Sequence, residues 1–178
     1  MLQDAAVWLD EKPYKEIYDG RVHAKVSPKY AHGILQVEIG ALLRSWARKR
    51  GGLASELRVY LDEGTTLVPD LAYISHTRFA GLTEEQREQP PFAPELAIEI
   101  RSRGDRERHV RRKTELYLKY GATVVLYVDP LNRSVRVTTR DGEMSLGKGD
   151  VFEHAAFPGL RLSVDEIFAP LDRPPFLT

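Results

Sequence analysis

The segment from residue 95 to residue 129 limits the fold more than any other part of the sequence. Residues 95–101, ELAIEIR, alternate apolar and polar positions over the length of a strand. A helix is predicted over residues 105–120, with Gly121 as its stop, and ATVVLYVDP then has the apolar character of a strand buried on both faces. A strand, a helix and a second strand in this order predict a right-handed crossover between parallel strands of a mixed sheet.

A hairpin is predicted near the start of the chain. Asp19-Gly20 favours the positive backbone φ angles of a tight turn, and strand-like runs at residues 14–18 and 22–26 flank it. A small opening hairpin is therefore expected before the first helix.

A long helix is predicted over residues 28–50. Ser27 supplies an N-cap, Pro28 suits the first turn, and Gly51-Gly52 would end the helix. Glu38 falls in the middle of its apolar stripe and is predicted to face inward. The stripe consists of Ala31, Ile34, Leu35, Ala41, Leu42 and Ser45.

Further strands are predicted around this helix and the crossover. Residues 57–61 and 66–74 are separated by the turn sequence DEGT and favour an antiparallel pair, with Asp70 inside the second strand. Residues 75–93 are interpreted as a surface loop. After residue 130, short strands separated by turns predict an antiparallel extension of the sheet, closed by a short helix at 163–168.

Composition narrows the class of protein. The length of 178 residues predicts a single domain over residues 1–178. Lysine plus arginine and aspartate plus glutamate each number 26, so no global charge attracts nucleic acid or anionic lipid. The absence of cysteine excludes disulfide scaffolds and thiolate metal sites. Neither a membrane helix nor a signal peptide is recognised, so we expect a cytoplasmic protein with no membrane partner.

Two acidic residues on separate predicted strands form the best candidate for chemistry. Asp70 follows a proline, and Glu99 lies between apolar neighbours with Arg101 on the same face. Two adjacent carboxylates repel each other unless a cation lies between them, and Mg²⁺ prefers such oxygen ligands. Lys113 shares the apolar stripe of the crossover helix and is predicted to face inward, where its charge would stabilise a reacting phosphate. The pattern predicts metal-assisted hydrolysis.

Each of these residues also has a structural interpretation. Asp70 would cap a turn or pair with an arginine, and Glu99 would form an ion pair with Arg101 or Lys113. Lys113 would instead lay its methylenes on apolar surface and extend its charge into water. Glu38 would be buried beside a cation, or would act as a third metal ligand. The residues alone leave these alternatives open.

The chain resembles a known family over nearly its whole length. It is similar to a bacterial family of uncharacterised restriction-endonuclease-like proteins in the PD-(D/E)XK nuclease superfamily. Three positions depart from the family pattern: Arg21 where an acid is common, Arg103 where proline usually follows the serine, and Leu126-Tyr127 where tryptophan is frequent. The matching residues are Glu16, Asp19-Gly20, His32, Pro69-Asp70, Glu99, Ser102, Asp105, Lys113, Tyr117, Gly121, Asp129-Pro130, Pro158-Gly159 and Ile167-Phe168.

The resemblance implies a fold, a cofactor and roles for the site residues. The expected fold is α+β, a restriction-endonuclease-like core with a central mixed sheet flanked by helices and an antiparallel extension. Asp70 and Glu99 would hold Mg²⁺ or Mn²⁺. Lys113 would replace the lysine usually found two residues after the glutamate, a position that Arg101 occupies here. A homodimer acting on nucleic acid is also implied.

The leading interpretation is a metal-dependent nuclease that hydrolyses phosphodiester bonds, with DNA as the expected substrate and Arg101 contacting phosphate or Glu99. Seven lysine and arginine residues from Arg101 to Lys113 form a local basic segment for phosphate contacts, although such segments are commonly solvated helix faces. One alternative is a nuclease fold that no longer cleaves and acts as a DNA-binding or protein-interaction module. Another is a metal-binding structural protein.

Overall fold

A computed structural model describes residues 14–25 and 29–172. The strands are β1 (Lys15–Tyr18), β2 (Arg21–Ala24), β3 (Gly51–Ser55), β4 (Val59–Asp62), β5 (Thr65–Leu67), β6 (Leu71–Ser75), β7 (Leu96–Ile100), β8 (Val124–Asp129), β9 (Ser134–Thr138), β10 (Glu143–Leu146), β11 (Val151–Phe152) and β12 (Leu162–Ser163). The helices are α1 (Tyr30–Ala47), α2 (His76–Ala80), α3 (Glu84–Glu88), α4 (Glu107–Lys119) and α5 (Val164–Phe168), followed by a 3-10 helix over Ala169–Asp172. None of the helices in the described ranges has both the length and the apolar character needed to cross a bilayer.

The central sheet has six strands in the order β10-β9-β8-β7-β6-β3. Strands β7 and β8 run parallel, with Ile98 opposite Leu126, and α4 connects them. The other neighbouring strands are antiparallel. The predicted crossover between parallel strands and the antiparallel extension through β9 and β10 are both confirmed.

A smaller antiparallel sheet has the order β2-β1-β5-β4. The predicted opening hairpin is confirmed as β1 and β2, and Asp19 and Gly20 take φ angles of 53° and 68° in its turn. Glycine and aspartate tolerate this left-handed region better than most residues do. The hairpin joins the rest of the sheet through Ile17, which pairs with Thr66 of β5.

The two faces of the central sheet bury different clusters. On one face, the alternate residues Leu96, Ile98 and Ile100 of β7 pack with α1 and with the C-terminal segment. On the opposite face, Ala97 packs with α4 and with residues of the smaller sheet, which include Tyr18. The alternation predicted for residues 95–101 is therefore confirmed, because successive side chains of a strand point to opposite faces.

The bounds and the buried face of α1 differ from the prediction. The helix begins at Tyr30 and ends at Ala47, and Ser27 and Pro28 lie outside the described residues. Gly51 opens β3 instead of ending the helix. A side chain would not fit at this position, because a Cβ atom there would lie 2.1 Å from the carbonyl oxygen of Ile74. The buried positions share only Leu35 with the predicted stripe; they are His32, Leu35, Ile39, Leu43, Trp46 and Ala47.

The predicted strand over residues 66–74 is two strands in different sheets. β5 belongs to the smaller sheet and β6 to the central one, and Asp70 lies in the junction between them and not inside a strand. Pro69 lacks the backbone N–H that a continuous ladder would need at this point. The predicted loop over residues 75–93 also contains the short helices α2 and α3, which Ser75 and Thr83 cap with their side chains.

Candidate active site

The junction between the two sheets buries the carboxylate of Asp70, which is only 2% exposed. Its Oδ1 atom accepts a hydrogen bond of 2.6 Å from Lys25 Nζ. Its Oδ2 atom accepts from the backbone N–H of Ile100 at 2.7 Å and lies 3.1 Å from His32 Nε2. A carboxylate can only accept, so His32 must carry a proton on Nε2. The bond to Ile100 fixes Asp70 against the end of β7.

Glu99 projects from β7 towards the same region. Its Oε1 atom accepts a hydrogen bond of 2.6 Å from the hydroxyl of Tyr117 and lies 2.7 Å from Lys113 Nζ. Both partners come from α4, whose packing against β7 and β8 therefore positions them. Burial and the nearby charge of Glu99 raise the pKa of Tyr117 well above its ordinary value, so this hydroxyl remains a donor.

Lys113 bridges two carboxylates. Its Nζ atom lies 2.9 Å from Glu16 Oε1 on β1 as well as 2.7 Å from Glu99 Oε1. The same Glu16 oxygen accepts a hydrogen bond of 2.9 Å from the backbone N–H of Val68. The inward orientation predicted for Lys113 is confirmed, since only 14% of its side chain is exposed. The interpretation in which this lysine extends its charge into water is wrong.

The protein environment shifts the pKa values of the two carboxylates in opposite directions. Burial opposes ionisation of Asp70, but the hydrogen bond from His32 and the charge of Lys25 outweigh burial and hold the pKa below its usual range. Burial raises the pKa of Glu99, and the charges of Lys113 and Lys25 offset this effect only in part. Burial also disfavours the charged form of Lys113, yet the carboxylates beside it raise its pKa.

Asp70 and Glu99 line one cavity of about 200 Å³, together with Glu16, Lys25, His32 and Lys113. The two acids therefore lie on the same side of the sheet and face a common space. Four carboxylates line this space against two ammonium groups and one guanidinium group, with the histidines counted as neutral. The excess of negative charge favours a bound cation.

The donor set fits a hard divalent cation. Carboxylate oxygens and backbone carbonyl oxygens are the ligands that such ions take in proteins. Asp70 and Glu99 supply the carboxylates, and the carbonyl oxygen of Val68 also faces the site, where it accepts a hydrogen bond of 2.6 Å from Lys25. Within residues 14–25 and 29–172, no three acidic or histidine side chains are arranged as a metal-binding cluster. A cation would thus depend on two side-chain carboxylates.

Two residues proposed from the sequence lie outside this cavity. Glu38 is half-buried on α1 and lines a separate hollow with Lys29 and Tyr30, because the true buried face of the helix turns it away from Asp70. Arg101 follows β7 and forms an ion pair of 2.6 Å with Asp129, not with Glu99. The structure therefore brings Asp70, Glu99 and Lys113 together, without Glu38 or Arg101.

Several contacting residues had no assigned role in the sequence. Glu16, His32 and Tyr117 are positions of the family pattern, and the structure shows that they hold Lys113, Asp70 and Glu99 respectively. Lys25 had no signal in the sequence, since it contacts Asp70 only after β1 pairs with β5. Lys25 and His23 are two residues apart, so their side chains lie on one face of the hairpin. This spacing does not indicate which residues that face contacts.

Comparisons with known proteins agree with this architecture. Residues 3–165 match the model of the Uma2 family, described as "Putative restriction endonuclease". The crystal structure of "a putative nuclease belonging to DUF820 from Anabaena variabilis ATCC 29413" has a TM-score of 0.81 and 23% identity, over 93% of this chain and 96% of that one. The predicted mixed α+β fold is thereby confirmed.

More distant comparisons add little. A cryo-EM structure of a DrdV–DNA complex has a TM-score of 0.42 and 19% identity, over 77% of this chain and 11% of its own, which is too low to define a shared fold. No curated protein matches the sequence.

Proposed function

Because the chain belongs to the Uma2 family of restriction-endonuclease-like proteins, we propose that it is a divalent-metal-dependent nuclease that hydrolyses phosphodiester bonds in DNA. The observation that carries this proposal is the convergence of Asp70 and Glu99, from separate strands, on one cavity beside buried lysines. A structural ion-pair network alone would not require an open space between the two carboxylates.

Each residue of the cavity has a role in this proposal. Asp70 and Glu99 hold the cation, Mg²⁺ or Mn²⁺. The bound ion would polarise the scissile phosphate and lower the pKa of an attacking water. Lys113, fixed between Glu16 and Glu99, stabilises the negative charge that develops on the phosphate. Tyr117 orients Glu99 through its hydrogen bond, and His32 orients Asp70 in the same way.

A neighbouring cavity extends the proposed DNA-binding surface. It has a volume of about 230 Å³ and shares His32, Ser102 and Gly104 with the first cavity. Lys29, Arg101 and Arg103 place positive charge on its walls. In this proposal Arg101 contacts phosphate, and its ion pair with Asp129 orients the guanidinium group. Phosphate contacts of this kind make DNA binding fall steeply with salt.

The direct test is cleavage of supercoiled plasmid DNA with Mg²⁺ or Mn²⁺. We expect nicking or linearisation by the wild type, and loss of cleavage in both Asp70→Asn and Glu99→Gln. The exposed residues Asp141 and Glu85 supply matched controls, because Asp141→Asn and Glu85→Gln make the same chemical changes away from the cavity. Activity that survives both site substitutions would remove these carboxylates from the mechanism.

A second candidate function is a nuclease fold that binds DNA without cleaving it. The observation in its favour is that lysines already neutralise both carboxylates, through Lys25 on Asp70 and Lys113 on Glu99. Calorimetric titration separates the two functions. An inert module would bind DNA in a salt-dependent way, yet would bind no divalent cation at millimolar concentration.

Pairing of two copies remains a prediction from the family resemblance. A homodimer would place two cavities on the two strands of a duplex. Sedimentation velocity in the presence and absence of duplex DNA tests it, and a monomer under both conditions would contradict the prediction.

A further inference from the structure

We propose that the ammonium group of Lys25 occupies the position of the divalent cation in the metal-free protein, and that the cation binds by displacing it. The inference rests on the proposed metal site and assigns a role to a residue that neither the sequence pattern nor the family match assigns. Lys25 would thus be an exchangeable internal counter-ion of the active site.

The contacts of Lys25 are those of a bound cation. Its Nζ atom lies 2.6 Å from Asp70 Oδ1 and donates to the carbonyl oxygen of Val68, also at 2.6 Å. Both partners are oxygen atoms of the type that Mg²⁺ and Mn²⁺ take as ligands. Only 15% of the side chain is exposed, so the ammonium group lies inside the cavity and not at its rim. An ammonium group and a divalent cation at these oxygens would repel each other and compete for the same lone pairs.

The two lysines of the cavity differ in how firmly they are held. Lys113 contacts two carboxylates, those of Glu16 and Glu99, from the interior of a helix. Lys25 contacts one carboxylate and one neutral carbonyl group, from the residue that follows β2. A lysine in direct contact with one carboxylate loses less on leaving than a lysine in direct contact with two. Lys25 is therefore the one that a metal ion displaces.

The net charge of the cavity favours replacement of the Lys25 ammonium group by a divalent cation. The cavity lining carries four negative charges, from Glu16, Asp70, Glu99 and Asp105, against three positive charges, from Lys25, Lys113 and Arg106. A divalent cation in place of Lys25 makes the total neutral, whereas a divalent cation added beside both lysines leaves an excess positive charge. Uncompensated charge in a buried site is costly, so replacement is favoured over addition.

The first experiment measures the accessibility of each lysine in the wild-type protein. Reductive methylation is followed by mass spectrometry of individual lysines, with and without Mg²⁺. Without metal, we expect Lys25 and Lys113 to react more slowly than the exposed Lys148. With Mg²⁺, Lys25 should react several-fold faster, while the rates of Lys113 and Lys148 stay unchanged. Continued protection of Lys25 at Mg²⁺ concentrations that saturate the site would overturn the displacement.

The second experiment measures Mn²⁺ affinity by calorimetry, in the absence of DNA. Lys25→Met removes the competing charge and keeps most of the side-chain volume, so we expect at least about tenfold tighter binding. Lys148→Met is the matched control and should bind as the wild type does. Adding Asp70→Asn to Lys25→Met should remove the gain, because the oxygen that Lys25 shields is then no longer anionic.

The outcomes distinguish this inference from the proposed function. Equal Mn²⁺ affinity in the wild type and in Lys25→Met would overturn the displacement while leaving the metal site in place. No binding to either protein would overturn both. Because the accessibility experiment uses the wild type, a folding defect in Lys25→Met would not prevent a decision.

Discussion

The two faces of β7 contrast an apolar core with a charged site on a single strand. Leu96, Ile98 and Ile100 point into the cluster beneath α1. On the opposite face, Ala97 is followed by Glu99, whose carboxylate meets Lys113 from α4. One alternating sequence of five residues therefore supplies both an apolar packing face and a carboxylate of the candidate site.

The contrast shows how the fold tolerates its buried charges. The apolar face stabilises the fold in proportion to the apolar surface that it removes from water, and no single hydrogen bond decides this contribution. The charged face depends on pairing, because a buried charge is strongly destabilising when its partner is removed. Substitutions on the two faces should accordingly differ in size and in their response to pH.

The largest effect on stability is expected on the apolar face. Ile98 is 1% exposed, so Ile98→Ala should lower the free energy of unfolding by about 2–5 kcal/mol through lost burial and the resulting cavity. Urea unfolding measures this loss. Val37→Ala, at a position on α1 that is 73% exposed, should leave the urea midpoint unchanged. A similar loss in both variants would contradict the assignment of the core.

A smaller loss is expected when one partner is removed on the charged face. Tyr117→Phe keeps the ring but deletes the donor to Glu99, and hydrogen bonds to charged groups contribute about 1.5–3 kcal/mol. Cleavage should also fall, because Glu99 loses an orienting contact. Tyr30→Phe is the control, at a tyrosine that is 58% exposed. Unchanged stability in Tyr117→Phe would show that the hydroxyl does not hold the carboxylate.

The two carboxylates should respond to pH in opposite directions in metal-free protein. The folded pKa of Asp70 lies below its unfolded value of about 3.9, so its ionised form stabilises the fold above that pH, and this contribution is lost as the pH falls. The folded pKa of Glu99 is raised, so its contribution is largest at low pH and is lost as the pH rises through the folded value.

Urea unfolding at several acidic pH values, with EDTA present, tests whether the two carboxylates have opposite pH dependence. The destabilisation caused by Asp70→Asn should shrink as the pH falls from about 6 towards about 3. The destabilisation caused by Glu99→Gln should grow over the same range. Parallel pH profiles for the two variants would contradict the opposite pKa shifts.

The smallest effect is expected for an exposed ion pair. Arg161 pairs with Glu153 where both side chains are more than half exposed, at 65% and 54%. Such pairs contribute about 0–1 kcal/mol because water and salt screen them. Arg161→Ala should thus leave the urea midpoint within experimental error. If Arg161→Ala lowered the free energy of unfolding as much as Tyr117→Phe does, exposure would not predict how much an ion pair stabilises this protein.

Local sequence patterns predicted the elements of the fold well. The alternation of residues 95–101, the apolar run of β8 and the turn at Asp19-Gly20 each determine a local structure through short-range geometry. The predicted face of α1 was wrong, because the stripe omitted the buried apolar residues Ile39, Leu43 and Trp46 as well as His32, which is buried through its bond to Asp70. A polar residue with a buried partner cannot be recognised before the partner is known.

The candidate site was predictable only in part. Asp70, Glu99 and Lys113 followed from an acidic pair, an inward lysine and the family resemblance. Arg101 was misplaced because residues two apart share a face only while the strand continues, and β7 ends at Ile100. Lys25 could not be predicted, since its contact with Asp70 spans 45 positions and depends on the pairing of β1 with β5. Long-range pairings of this kind leave no periodic signal.

The most direct test of the central claim is a crystal structure after soaking in Mn²⁺, with anomalous scattering used to locate the ion. The account predicts one peak between Asp70 and Glu99, within bonding distance of an oxygen of each carboxylate, with Lys113 still between Glu16 and Glu99. A crystal without a peak at this position, in which Lys25 still contacts Asp70 at millimolar Mn²⁺, would contradict it.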